Sequence, residues 1–139
     1  MTGIKIDGKI IAQTVKDRVK KAADELKTQG ISPCLATVLI GNIPASATYV
    51  RNKHKACEEV GIATKDHKLD ESVTQQELNK IIDELNADAS VHGILVQLPL
   101  PKHLNEFVTT SRISPIKDVD GLSPHNAGLL AMKKAALVA

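Results

Sequence analysis

The chain has 139 residues, a formal net charge of +2 and only two aromatic residues, Tyr49 and Phe107. That length suits one domain with its own core, and the shortage of aromatics makes the core aliphatic. Scattered basic residues without stacking aromatics exclude a nucleic-acid footprint, and no segment is long and apolar enough to span a bilayer.

Met1 to Lys9 contains no apolar signal segment. Cys34 and Cys57 lack metal-type spacing, so packed, reduced thiols in a cytoplasmic protein are expected. Residues 4–6 read as a short strand. Asp7 is placed to cap a helix running to about Gln29 and stopped by Gly30, with Ile11, Val15, Val19, Ala22 and Leu26 as its apolar stripe. The run from Gly3 to Lys9 imitates a phosphate loop but fails, because Ile10 stands where a magnesium-binding hydroxyl belongs.

Leu35 to Ile40 is a continuous apolar run of strand length ending at Gly41-Asn42, as a central parallel strand reads. A helix follows from Pro44 to the glycine stop at Gly61. Ala45, Tyr49, Lys53, Ala56, Cys57 and Val60 are expected on its buried face, which makes Lys53 the anomaly. Either its stem packs while its ammonium snorkels to water, or Tyr49 and Lys53 line a cleft where a partly desolvated amine works as acid or base.

Thr64 to Leu69 is a weaker strand, and Thr74 to Glu77 is a capping box ahead of Leu78, Ile81, Ile82 and Leu85. Gly93 to Val96 is a second buried strand running into Gln97-Leu-Pro-Leu-Pro101. Lys102 to Thr110 is a short helix or irregular segment, Lys117 to Gly121 a turn, and Ser123-Pro124 opens a last helix reaching about Lys133. Strand and helix alternate, which predicts a three-layer α/β/α domain around a mainly parallel sheet. Ligands in such sheets bind beyond the carboxyl ends of the strands, so Tyr49, Lys53 and Gln97 are expected in one cleft, with Asp118 or Asp120 beside them.

Gln97 interrupts an apolar run at a strand end. It either satisfies nearby backbone groups or hydrogen-bonds Lys53 or a ligand. One of Asp118 and Asp120 caps the turn at Gly121, and the other is free for a cationic or amide-like ligand group. The remaining ligands of a calcium loop are missing, no zinc spacing links the five histidines, and neither a nucleophile elbow nor a glycine-rich dinucleotide fingerprint is present. No metal is expected.

Gly41-Asn-Ile-Pro-Ala-Ser-Ala-Thr-Tyr49-Val-Arg-Asn-Lys53-His-Lys-Ala-Cys-Glu-Glu-Val-Gly-Ile62 resembles the N-terminal signature of the bifunctional methylenetetrahydrofolate dehydrogenase/methenyltetrahydrofolate cyclohydrolase family. Gly93 to Pro101 and Lys117 to Gly128 are similar to two further blocks of that family, in the same order. The resemblance covers residues 1–139 as an N-terminal catalytic domain. It implies that Lys53 is the general base, held by a hydrogen bond with Gln97 and flanked by Tyr49. It implies that Asp120 binds the amide-like edge of the pterin. The residues around tetrahydrofolate would be Tyr49, Val50, Arg51, Asn52 and Lys53 on the helix, and Val96, Gln97, Leu98 and Pro99 after the strand. Members of the family also carry a Rossmann-type domain for NADP or NAD and a late glycine-rich signature. Both are absent here, since the sequence stops at Ala139, so cofactor binding is expected outside this chain. A homodimer is implied as well. The alternative is a folate-binding or assembly module without turnover, and the plainest reading is an interaction domain whose Lys53 is an ordinary surface lysine.

Overall fold

The computed structural model describes residues 7–42 and 44–137. The strand expected at residues 4–6 and the side chain of Ala45 lie outside that description. Helix α1 spans Gly8–Thr28 and strand β1 Cys34–Ile40; α2 is Pro44–Val60, β2 Ala63–Leu69, α3 Gln75–Ala87 and β3 Gly93–Val96. Two short helices follow, α4 Glu106–Arg112 and α5 Pro124–Ala131. α4 begins four residues later than the segment expected from sequence, because the Asn105 side chain accepts from the Val108 N–H and sets the start there.

The local start and stop signals act as the sequence suggests. Asp7 caps α1 through the Lys9 N–H at 3.0 Å. Thr74 and Glu77 complete a reciprocal capping box on α3. Gly61 ends α2 with φ +79°, a conformation that disfavours a side chain, and a Cβ there would also meet Lys27 Nζ.

The three strands are parallel in the order β2-β1-β3. The chain leaves β1 for β2 on one side and then crosses to β3 on the other. Strand order therefore reverses between β1 and β3, and in open α/β sheets ligands bind beyond the carboxyl ends of the strands at such a reversal. The crossovers place α2 and α3 on opposite faces. Ala36, Val38, Ile40, Ile94 and Val96 point to the α3 face, where Leu78, Ile82, Leu85, Leu100, Leu104 and Ile113 close a dry core. The other face carries Thr37 and is covered by α2.

Beyond β3, Lys117 and Asp118 lie alongside, with an isolated Ile94–Asp118 bridge and a 2.7 Å bond from Ile94 N to Lys117 O. Gly93 permits that approach, because a Cβ there would sit 2.6 Å from Val119 Cγ1. Lys117 then reaches the end of α3, donating to the carbonyls of Leu85, Asn86 and Asp88 at 3.1, 2.9 and 2.8 Å. An ammonium suits that end, where carbonyls lack partners and the helix dipole is negative.

One expectation fails. Ile11, Val15 and Leu26 on α1 are 54, 44 and 36 % exposed, and only Ala23 is buried. The contact line runs instead along Lys16, Val19 and Ala23, because α1 rests on α2, where Lys16 pairs with Glu59. The apolar stripe is therefore rotated out of that contact.

Candidate functional site

Helix α2 lies on the sheet with a seam of Ser46, Val50, Lys53, Cys57 and Val60, spaced four, three, four and three residues apart. Ser46, Val50 and Val60 are 5, 7 and 6 % exposed, and Lys53 and Cys57 are half-buried. Lys53 is thus an ammonium in a helix face otherwise turned inward. Tyr49 is not on that face. It is 64 % exposed and flanks the seam, which corrects the expected phase of the helix. Val50 takes the inward place because a β-branched aliphatic side chain packs on a sheet at no polar cost, whereas a phenol hydroxyl needs a partner.

The two flanks of α2 differ. At 100° per residue, Ala47, Val50, Arg51 and His54 turn toward β2, and Tyr49, Asn52, Lys53 and Ala56 turn the other way. The β2 flank encloses a hollow of about 230 Å³ between α2, β1 and β2. There His54 Nε2 lies 2.8 Å from Asp66 Oδ1 and 3.1 Å from Thr37 Oγ1, and the Thr37 hydroxyl donates to the same Asp66 oxygen at 2.6 Å. Thr37 and Asp66 face each other in the β1–β2 register, so the sheet itself presents them as a pair.

Gln97 follows β3 and points to the α2 face by strand alternation, since Val96 points into the α3-face core. Its backbone N–H closes the ladder on Val38 O at 2.9 Å, and its side-chain Nε2 donates to Leu98 O at 2.8 Å. Its Oε1 is buried with no partner. The expected Lys53–Gln97 hydrogen bond is therefore not formed here; one half of the amide serves the backbone and the other half is an unused acceptor. A buried carbonyl oxygen without a donor is costly, which makes it a natural point of contact for an incoming N–H or O–H.

Of the paired aspartates, Asp118 is the cap. It is 1 % exposed and accepts from Leu122 N at 3.2 Å, Ser123 N at 2.8 Å and Asn126 Nδ2 at 3.0 Å. Burial alone would raise its pKa, but these donors outweigh burial and hold the carboxyl below its usual range. The turn closes through Gly121 N to Asp118 O at 3.2 Å and leaves Asp120 half-buried.

The ten residues expected around a ligand therefore divide. Tyr49, Asn52 and Lys53 share a flank of α2, Gln97 ends β3 on the same side of the sheet, Pro99 is exposed, and Asp120 stands in the turn beside β3. Val96 packs into the opposite core, Leu98 leans on that core, Val50 is buried under α2, and Arg51 lines the hollow against β2. Those four do not open to the Lys53 flank as expected, because strand and helix periodicity send their side chains elsewhere. Sequence reasoning also missed Lys117 and His54. The signal for Lys117 was a lysine beside a buried strand; His54 had none beyond its place next to Lys53. Among the described residues, no cluster of three His, Cys, Asp or Glu side chains forms a metal site, and no helix is long and apolar enough to cross a membrane.

Comparison with known proteins adds to this geometry. A profile of the tetrahydrofolate dehydrogenase/cyclohydrolase catalytic domain matches residues 6–120. The bifunctional protein FolD of Nitrosopumilus maritimus (strain SCM1) is 80 % identical over 139 residues, all of this chain and 48 % of that protein. FolD of Cenarchaeum symbiosum (strain A) is 61 % identical across 96 % of this chain and 47 % of its own length. Among solved structures, the bifunctional methylenetetrahydrofolate dehydrogenase/cyclohydrolase FolD of Campylobacter jejuni superposes with a TM-score of 0.92 at 46 % identity, covering 95 % of this chain and 47 % of that one. The Trypanosoma brucei methylenetetrahydrofolate dehydrogenase-cyclohydrolase, complexed with NADP cofactor and inhibitor, superposes at 0.90 with 33 % identity, covering 99 % and 48 %. The chain thus spans about half the length of these relatives.

Proposed function

The chain belongs to the tetrahydrofolate dehydrogenase/cyclohydrolase catalytic-domain family, and from that premise we propose that it is the folate-handling part of a one-carbon enzyme. The reactions are oxidation of methylenetetrahydrofolate to methenyltetrahydrofolate and hydrolysis of the latter to 10-formyltetrahydrofolate. One observation carries the reading for this chain. Lys53 occupies the sheet-facing seam of α2 on the side of the strand-order reversal, and Gln97 offers a buried, unpaired Oε1 from the end of β3 on the same side.

The chemistry follows from charge. Methenyltetrahydrofolate carries an iminium cation, and a cation beside Lys53 disfavours its protonated form. The neutral amine takes a proton from water as the water oxygen attacks the methenyl carbon. The resulting ammonium returns that proton to the departing nitrogen as the ring C–N bond breaks, and the carbinol hydroxyl gives up its own proton to solvent as it becomes the formyl carbonyl, so one proton is released per turnover. Gln97 Oε1 accepts an N–H of the amine and orients it. Tyr49 lies along the folate, Asn52 and Pro99 complete the walls, and Asp120 receives the amide-like N–H edge of the pterin.

Dehydrogenation also needs a nicotinamide cofactor to accept hydride. The residues here do not fit it: the β1–α2 turn reads Gly41-Asn42-Ile43-Pro44, without the spaced glycines that admit a pyrophosphate. This chain's share of that step is to hold the methylene carbon in place. A homodimer in the cytoplasm is part of the same proposal, and sedimentation equilibrium measures the first of these.

The test is loss of methenyltetrahydrofolate absorbance at saturating substrate with the 139-residue chain. Lys53→Met is expected to lower kcat by a factor of about 10² to 10⁴, the range for a removed acid–base group. Equal rates for both proteins would reject Lys53 as base. Folate binding without turnover in either would favour a binding module.

A further inference from the structure

We propose that His54 is a positioning residue for Lys53. Its hydrogen bonds to Thr37 and Asp66 set the roll of helix α2 about its own axis, and so set where the neighbouring amine reaches. The inference rests on the reading of Lys53 given above.

His54 and Lys53 are successive residues and stand about 100° apart around the helix, one on each side of the seam. A seam of small and aliphatic side chains resists lifting of the helix but resists rolling poorly. Ser46, Val50, Cys57 and Val60 offer no directional bond among the side-chain hydrogen bonds of the described residues. His54 supplies direction. Its Nε2–H faces Asp66 Oδ1 at 2.8 Å and Thr37 Oγ1 at 3.1 Å, from two adjacent strands. Thr37 is 1 % exposed and its hydroxyl hydrogen is committed to Asp66 at 2.6 Å, so its oxygen is oriented as an acceptor for the imidazole. Both partners sit on adjacent strands of the sheet, Thr37 buried and Asp66 half exposed.

The lever is short and stiff. Side chains end about 5–6 Å from the axis of a helix, so a roll of about 10° moves a tip by about 1 Å. A displacement of that size at a reacting group can cost about 10² in rate. Roll toward β2 would carry Lys53 down into the seam, and roll away would lift it to water. Either motion alters its approach to the free Gln97 oxygen; Tyr49 and Asn52 ride on the same helix and move with it, while Gln97, Pro99 and Asp120 stay in place.

Three variants and two readouts test this. His54→Leu removes the donor; Asp66→Ala removes an acceptor from a half-exposed position on β2; His54→Gln restores an N–H where the imidazole Nε2 stood. One readout is steady-state hydrolysis of methenyltetrahydrofolate. The other is reductive methylation of Lys53, measured by peptide mass spectrometry as a ratio to Lys55 on the same helix, which needs no turnover. His54→Leu and Asp66→Ala are expected to lower kcat by about tenfold to a hundredfold, with a smaller rise in KM because Tyr49 and Asn52 move with the helix, and to change the labelling ratio severalfold. His54→Gln is expected to restore both. A helix merely loosened would not be rescued selectively by glutamine. Unchanged kcat and labelling in His54→Leu, with Lys53→Met still inactive, would overturn the positioning role and leave Lys53 as the base. If Lys53→Met retains full turnover, or no protein turns over, the reading of the base falls and the labelling ratio alone decides whether His54 places Lys53.

Discussion

The two faces of the sheet are built on opposite rules. The α3 face is aliphatic throughout: Leu78 and Ile82 are fully buried against Val38, Ile94 and Val96, with no titratable group among the members of that cluster. The α2 face carries Thr37 in the middle of the central strand, His54 and Lys53 above it, and Gln97 at the edge. Polar groups on a half-covered face reduce the hydrophobic gain and raise the need for partners. The difference teaches where each kind of work is done. One face supplies cohesion, and the other trades cohesion for directional contacts that hold a few side chains in fixed relation.

That division predicts unequal responses to mutation. Ile82→Ala on the dry face is expected to cost about 4 kcal/mol, measured by urea unfolding, with KM for folate unchanged in the fraction that remains folded. Asp118→Ala, at the turn between α4 and α5, is expected to cost about 3 kcal/mol, since it strips Ser123 N and Leu122 N of their acceptor and leaves Asn126 Nδ2 with only Pro115 O. Its pH signature has a definite sign. The folded pKa of Asp118 lies below the unfolded value of about 3.9, so its contribution is present above that pH and is lost as pH falls through the folded pKa. Several exposed carboxylates, Asp83 and Glu77 among them, share that direction. The comparison is therefore wild type against Asp118→Asn, whose unfolding free energy should fall less steeply between pH 5 and 2 (about two units below the unfolded value).

Much of this was readable from the chain because it is local. The bounds of α2 follow from Pro44 and Gly61, the start of α3 from Thr74 and Glu77, and β3 from four apolar residues before Gln97. The phase of α2 was not readable. Small residues at 45–48 (Ala, Ser, Ala, Thr) give spacing without direction, so Tyr49 and Val50 compete for the inward place until the sheet is present. Which aspartate caps the turn depends on donors at 122, 123 and 126 that approach only after α5 turns back. His54 was the least readable of all. Its partners lie on two different strands and meet only through the parallel register that sets Thr37 opposite Asp66. Five scattered histidines in a sequence say nothing of that.

The smallest expected effect separates cohesion from direction on the α2 face itself. Thr37→Val keeps the volume and branching of a residue that is 1 % exposed, and valine suits a central strand. It deletes the hydroxyl that donates to Asp66 but leaves the 2.8 Å His54–Asp66 contact in place. Asp66 is about half exposed, so water can replace the lost donor there. The stability loss should stay below about 1 kcal/mol, the net worth of one hydrogen bond, as read by urea unfolding. The labelling ratio of Lys53 to Lys55 should shift less than in His54→Leu. A loss approaching that of Ile82→Ala would mean that the α2 face is held together by its polar cluster after all, and that the contrast between the two faces is one of composition alone.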